Sequence, residues 1–320
     1  MTPTSPVPWL HAVPLEGFAH DLHRALRQRP RRISPKYFYD AAGSALFERI
    51  CELAEYYPTR TELALLQAHA AEMAALIGPG AQLVEYGAGS LRKVRLLLDR
   101  LAAPHSFVPI DISGSHLLGA CRTLQREHPG LHIQPVVADF TQPHDLPARP
   151  PQGRRVGFFP GSSIGNFGPD EALDFLRMAA HELRGGALLI GVDLVKDPAV
   201  LHAAYNDAQG VTAAFNLNLL ARARRELGAQ FDPEGFAHSA FYNAPLQRIE
   251  MHLQSRRRQV LRLGQATYEF EEGETLHTEN SHKFSVEGFR ALGERAGFEP
   301  GPVWTDARGW FSLHWLAVPA

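Results

Sequence analysis

The feature that most constrains the fold is an alternation of short apolar runs with helical stretches between residues 81 and 191. Short runs that are apolar throughout are typical of parallel strands buried on both faces. The predicted strands are residues 82–86, 107–111, 133–138, 156–160 and 187–192, and the predicted helices between them are residues 92–101, 115–127 and 169–183. The sequence therefore predicts an α/β core of repeated β-α units with helices on both faces of a sheet.

The chain changes character after Asp193. A long helical region at 198–227 precedes strand-like runs at 249–253, 259–263 and 266–270, then a helix at 286–296 and closing strands at 302–305 and 311–318. Because sequential elements of one sheet normally lie close in the chain, the middle segment reads as an insertion. We expect a core of residues 62–194 and 286–320, and a second, smaller α+β domain of residues 1–61 and 195–285.

Charge and hydropathy favour a small-molecule partner. The chain has 32 Lys and Arg against 34 Asp and Glu, a formal net charge of −2, so it has no overall basic field for nucleic acid or an anionic membrane. Its longest apolar runs are too short to span a bilayer, and its first residues lack a secretory pattern. We expect a cytoplasmic protein, and a monomer is compatible with the sequence.

Cysteine and histidine spacing predicts neither a disulfide nor a metal. Cys51 and Cys121 stand alone, and the sixteen histidines form none of the usual metal-ligand motifs.

Three consecutive predicted strands end in residues that suit a nucleoside. The first runs into Gly87-Ala88-Gly89, where two glycines let backbone approach a ligand, although such a turn also serves tight packing alone. The second ends at Asp111, which can accept hydrogen bonds from ribose hydroxyls. The third ends in Asp139-Phe140, a carboxylate and a ring suited to adenine. The carboxyl edge of the sheet is thus the predicted cofactor site.

The glycine spacing distinguishes between two cofactors. A dinucleotide site requires a third glycine for close helix packing, but Arg92 stands at that position. S-adenosyl-L-methionine has an amino-acid tail instead of a pyrophosphate, and Lys93 or Arg95 could hold its carboxylate. A nicotinamide oxidoreductase is therefore the less favoured alternative.

Seven separated segments, in order, resemble a known family. They are residues 39–47, 56–62, the glycine loop, 107–111, 161–166, 204–207 and 278–284. The chain resembles, over nearly its whole length, the histidine-specific Nα-methyltransferases, which make trimethylhistidine (hercynine) in ergothioneine biosynthesis. The resemblance implies a class I methyltransferase core with Rossmann-like topology, a second domain, and an amino acid bound between the two.

The resemblance also implies site residues. Those for the cofactor are Tyr39, Gly87, Lys93, Asp111, Asp139 and Phe140. The substrate carboxylate and amine would lie near Asn166 and Tyr205, while the imidazole would contact Tyr56, Met251, Glu279 and Ser281. Tyr39, with ordered water, is the candidate for assisting loss of the amine proton.

Each of these residues also has a structural interpretation. Asn166 is typical of a turn, Tyr56 and Tyr205 of packing aromatics, and Met251 of a core residue. Glu279 and Ser281 could point outward from an exposed strand, although the same two-residue spacing lets them contact one ring together. Two functional alternatives remain open: methylation of another free amino acid such as tryptophan, and a non-catalytic protein that binds S-adenosylmethionine.

Overall fold

The structure is a computed structural model that describes residues 15–320, with side chains described from Gly17 onward. Residues 1–14 belong to the predicted second domain and include the stretch without a secretory pattern. They lie outside the described residues.

Helices and strands are named in chain order. The helices are α1 (Leu15–Arg27), α2 (Ala41–Glu52), α3 (Tyr57–Ile77), α4 (Arg92–Leu98), α5 (Gly114–Glu127), α6 (Pro169–Glu182), α7 (Pro198–Tyr205), α8 (Val211–Leu227) and α9 (Val286–Arg295). The strands are β1 (Arg31–Arg32), β2 (Gln82–Tyr86), β3 (Ser106–Asp111), β4 (Val136–Val137), β5 (Arg155–Phe159), β6 (Ala187–Asp193), β7 (Phe236–Asn243), β8 (Arg248–Ser255), β9 (Gln259–Leu263), β10 (Ala266–Phe270), β11 (Thr275–His282), β12 (Glu299–Thr305) and β13 (Phe311–Ala317).

The large sheet has seven strands in the order β12-β13-β6-β5-β2-β3-β4. β2 to β6 run parallel, and β13 lies antiparallel between β6 and β12. Apolar clusters cover both faces, one involving α3, α4 and α5 and the other α6 and α9. This is the predicted class I methyltransferase fold. The strand order reverses between β2 and β5, so the crevice for a ligand opens at their carboxyl ends.

Two predicted elements differ from the observed ones. The third strand is shorter, because Pro135 has no N–H for the ladder and only an isolated bridge joins Ile133 to Phe107. The helical region at 198–227 is two helices, α7 and α8. The chain turns between them at Gly210, whose φ is +69°, and Asp207 accepts hydrogen bonds from the first N–H groups of α8.

A second, four-stranded sheet has the order β1-β11-β8-β7, with β9 and β10 forming a separate hairpin. Its apolar core is distinct from those of the large sheet and combines residues from α1, α2 and α8 with the inward side chains of β8. α3 connects the two sheets: Tyr57 packs in the apolar core of the second sheet, whereas Leu66 packs against the large sheet.

Candidate active site

A cavity of about 1000 Å³ lies at the carboxyl edge of the large sheet. The loops after β2, β3, β4 and β5 form one wall, and residues 32–59 contribute to the other. The predicted site residues that line it are Tyr39, Tyr56, Gly87, Lys93, Asp111, Asp139, Phe140 and Asn166. The remaining four, Tyr205, Met251, Glu279 and Ser281, belong to a neighbouring group, and the Tyr56 and Tyr205 ring centroids are 6.3 Å apart.

The glycine turn after β2 has a conformation that excludes most side chains. Gly87 and Gly89 have φ of +70° and +48°, in the left-handed region that favours glycine. A Cβ on Gly87 would lie 3.4 Å from the Phe140 ring. The Phe140 ring therefore lies next to the glycine turn, so both can contact one ligand in the cavity.

Asp111 is oriented by backbone donors. Its Oδ2 accepts a hydrogen bond from the Gly89 N–H at 3.1 Å, and its Oδ1 accepts one from the Ser113 N–H at 2.8 Å. Burial raises its pKa, and these hydrogen bonds oppose that effect. Each oxygen keeps a further lone pair, so the carboxylate can accept two hydroxyl groups side by side.

We expect Asp111→Ala to weaken S-adenosylmethionine binding by about 1 to 3 kcal/mol, because the ribose hydroxyls would lose their acceptor. Calorimetric titration of the folded variant measures this. Asp99→Ala, at an exposed carboxylate outside the cavity, is the matched control. Unchanged cofactor affinity in the Asp111 variant would remove this residue from the site.

Asp139 forms an ion pair that the sequence did not suggest. The Lys36 Nζ lies 3.1 Å from its Oδ2, and Thr141 donates to its Oδ1 from both its N–H and its hydroxyl. Although burial acts in the opposite direction, these contacts hold the pKa of Asp139 below its usual value. Asp139 therefore stays ionised and can accept an adenine amino group.

Lys93 lies on the cavity wall, paired with the buried Glu62. The Lys93 Nζ is 2.6 Å from Glu62 Oε2, and the Gly161 N–H donates to the same carboxylate. Arg95, the other predicted cation, instead pairs with Glu127 and does not line the cavity. Glu62 was not recognised as a site residue from the sequence, although it ends the family-like segment 56–62.

Asn166 reaches the cavity because its short helical turn packs against β11. The turn comprises Ser163–Asn166, and a Cβ on Gly165 would lie only 2.8 Å from the His282 carbonyl oxygen. The absence of a side chain at Gly165 allows this contact, which joins the loop after β5 to the strand that carries Glu279.

A β-bulge decides which face of β11 Glu279 occupies. His277 pairs with His252, but Glu279 pairs with Met251, so the alternation of faces shifts at Thr278. Glu279 and Ser281 consequently lie on the same inward face of the second sheet as Met251, a core residue that is 1% exposed. The interpretation of Glu279 and Ser281 as outward residues is therefore wrong.

Glu279 is half-buried, and its carboxyl group lacks a hydrogen-bonding partner among the described residues. Burial raises its pKa to about 8, although the charge of Lys283 opposes the shift. No described residue forms a hydrogen bond or ion pair with its carboxylate. A ligand N–H would therefore stabilise its ionised form.

Tyr39 and Tyr56 are neutral phenols in this environment. Burial raises the pKa of both hydroxyls well above the usual value. For Tyr39, the negative charge of Glu279 is the second cause. The Tyr39 ring packs edge-on against Phe47 and Phe215. Its hydroxyl can act as a hydrogen-bonding group near neutral pH, but not as a phenolate base.

The outer face of the second sheet carries another titratable cluster. Potential ligand atoms of Glu250, His252 and His277 lie within 4.8 Å of one another, a proximity that sequence spacing did not reveal. Arg248 already forms an ion pair with Glu250 at 2.6 Å. This positive charge makes the cluster a polar network of the sheet surface that disfavours a cation.

The sheet order, the glycine turn and the acidic strand ends around one cavity define a class I methyltransferase that uses S-adenosyl-L-methionine as methyl donor. The sequence profile of the SAM-dependent histidine-specific methyltransferases matches residues 18–318, and the chain belongs to this family.

Similar proteins agree with that membership. The histidine N-alpha-methyltransferase of Mycolicibacterium smegmatis is 42% identical, with 95% of each chain covered. The protein of the same name from Mycobacterium tuberculosis is 43% identical, with 92% of each covered. Ergothioneine biosynthesis protein 1 of Neurospora crassa is 33% identical over 90% of this chain but 33% of that longer protein. The predicted family and enzyme class are confirmed.

Proposed function

We propose that this enzyme methylates the α-amino nitrogen of L-histidine three times to give trimethylhistidine, a step of ergothioneine biosynthesis. The observation that carries the proposal is Glu279, an inward-facing, half-buried carboxyl without a partner among the described residues. An imidazole N–H would satisfy it, whereas a purely apolar side chain would not. The names of the two mycobacterial relatives support the same substrate.

The proposed roles are divided between the cavity and the neighbouring group of residues around Tyr205. Tyr39, Gly87, Lys93, Asp111, Asp139 and Phe140 bind the cofactor; Asn166 and Tyr205 bind the substrate carboxylate and amine; Tyr56, Met251, Glu279 and Ser281 surround the imidazole. We also propose residues 62–194 and 286–320 as the methyltransferase core and residues 1–61 and 195–285 as the substrate domain. The separate apolar cores support this division.

The proposed reaction is direct displacement at a methyl group. Bound S-adenosylmethionine supplies an electrophilic methyl, and the chain's own residues align the substrate nitrogen with it. Placement of this kind contributes on the order of 7 kcal/mol or more to rate enhancement. The amine must lose its proton before attack; the neutral Tyr39 hydroxyl can accept a hydrogen bond from the amine, and ordered water takes the proton to solvent. The tertiary amine still has a lone pair, so a third transfer can follow.

Labelled S-adenosylmethionine and a panel of free amino acids test the proposal. Histidine should accept label far faster than tryptophan or the other members, up to three methyl groups per molecule. A preference for another amino acid would overturn the substrate assignment. Cofactor binding without transfer to any amino acid would favour a non-catalytic binding protein.

We expect histamine to be a very poor substrate, because it lacks the carboxylate that Asn166 is proposed to bind. Loss of a hydrogen bond to a charged group lowers kcat/KM by at least about tenfold. Steady-state kinetics with both amines measure the difference. Similar turnover would show that the site does not recognise the carboxylate.

A free amino acid, as a small-molecule substrate, and the methyl donor are the partners proposed for this site. Between residues 15 and 320, no helix is both long and apolar enough to cross a membrane. We propose a cytoplasmic enzyme; the free thiols of Cys51 and Cys121 support a reducing compartment.

A further inference from the structure

Lys283 is a buried cation that the reaction described above does not use. It lies on the chain directly after β11, two residues beyond Ser281, and is 3% exposed. Its Nζ is 2.8 Å from Asp193 Oδ2, 2.7 Å from Ser281 Oγ and 3.5 Å from the Tyr205 hydroxyl. Three ammonium hydrogens thus face three oxygens, and Asp193 compensates the charge.

The Ser281 hydroxyl receives hydrogen bonds from two sides. Lys283 donates to its Oγ at 2.7 Å, and the Tyr205 O–H donates to the same oxygen at 2.7 Å. An ammonium group can only donate, so Lys283 always occupies one lone pair of Ser281. With the second lone pair occupied by Tyr205, Ser281 has no acceptor capacity left. Its own hydrogen remains free for a ligand.

We propose that Lys283 is a positioning residue that makes Ser281 a hydrogen-bond donor to an acceptor nitrogen of the substrate ring. The proposal rests on the function proposed above. Glu279, on the same face of β11, then accepts the N–H of the other ring nitrogen. The pair together recognises a ring with one donor and one acceptor, which is a neutral imidazole.

This arrangement explains selectivity that Glu279 alone does not provide. An indole has an N–H that could satisfy Glu279, but it has no acceptor nitrogen. Against tryptophan, the Ser281 hydrogen would stay unpaired in a buried site, which lowers binding by about tenfold or more. An imidazolium has two N–H groups and is disfavoured for the same reason.

Ring analogues isolate the proposed hydrogen bond. Thiazol-4-ylalanine and thiazol-5-ylalanine keep an acceptor nitrogen at one or the other ring position and lack the N–H, while thienylalanine lacks both. Calorimetry with S-adenosylhomocysteine present gives the affinity of each. In the wild type, one thiazolyl isomer should bind about tenfold more tightly than thienylalanine.

The thiazolyl preference is the affinity of the better thiazolyl isomer divided by that of thienylalanine. Ser281→Ala and Lys283→Met should each reduce this ratio towards one. A merely structural role of Lys283 would weaken all three analogues equally and leave the preference unchanged, which would overturn the proposal. The double variant should resemble Ser281→Ala alone, because Lys283 acts through that hydroxyl. Gln254→Ala, at an exposed position of β8, should keep the wild-type preference.

Two further outcomes are informative. If Lys283→Met does not fold, Lys283→Gln places an amide there whose oxygen can accept from the Ser281 hydroxyl, and the preference should again fall. A wild type without any thiazolyl preference would mean that Ser281 donates to Tyr205 instead, and the proposal would fail. If the wild type does not methylate histidine, the proposed function fails independently of these affinities.

Discussion

Glu279→Ala should lower kcat/KM for histidine by tenfold to several hundredfold, the cost of losing a charged acceptor for a ring N–H. Affinity for S-adenosylmethionine should stay nearly unchanged, because Glu279 does not line the cavity formed by the strand ends of the large sheet. The ratio of kcat/KM for histidine to kcat/KM for a larger aromatic amino acid should be smaller in this variant than in the wild type. Steady-state kinetics with both substrates measure these effects.

Glu272→Gln is the matched control, since this glutamate is exposed in the turn before β11. It should leave kcat/KM unchanged. Wild-type efficiency in the Glu279 variant would remove the main chemical support for histidine as substrate.

The same carboxyl should also reduce stability. Burial raises its pKa from 4.5 to about 8, so between these pH values the folded protein holds a proton that the unfolded chain has lost. Stability therefore falls as pH rises through this window. Glu279→Gln should remove this loss. Between pH 5 and pH 8, the free energy of unfolding of the wild type should therefore fall by about 1 to 3 kcal/mol more than that of the variant. Urea unfolding of the unliganded protein at both pH values measures it; an equal pH dependence in both proteins would contradict it.

Asp193→Asn should destabilise the fold by about 3 to 5 kcal/mol, because it leaves two buried ammonium groups without their counter-ion. Asp193 is 1% exposed and lies 2.5 Å from Lys196 Nζ and 2.8 Å from Lys283 Nζ. It also accepts a hydrogen bond from the Tyr57 hydroxyl. Although burial opposes it, the two lysines hold its pKa below the usual value, so its contribution is present at pH 7 and is lost only on acidification.

Urea unfolding at pH 7 measures this change. Asp170→Asn, at an exposed position in the first turn of α6, should shift stability by less than about 1 kcal/mol. A comparably small effect at Asp193 would show that the lysines do not depend on its charge.

The methyltransferase sheet could be predicted because its signals are local. Strands such as β6 are short and almost wholly apolar, and glycine or acidic residues stand at the carboxyl ends of several of them. The residue pattern therefore assigns Gly87, Asp111 and Asp139 to one cavity edge, since parallel strands place their carboxyl ends together. The interruption between α7 and α8 was missed because Asp207 and Gly210 lie within an otherwise helical pattern.

Residue patterns alone establish the core architecture and the family, and they identify eight of the residues that line the cavity. The partners of charged groups depend on the tertiary structure: Lys36 with Asp139, Glu62 with Lys93, and Asp193 with Lys196 and Lys283. The face of Glu279 depends on it as well, because a bulge shifts the alternation of β11 without any mark in the residue pattern. Periodicity reports which residues are buried, whereas long-range pairing depends on how distant segments pack.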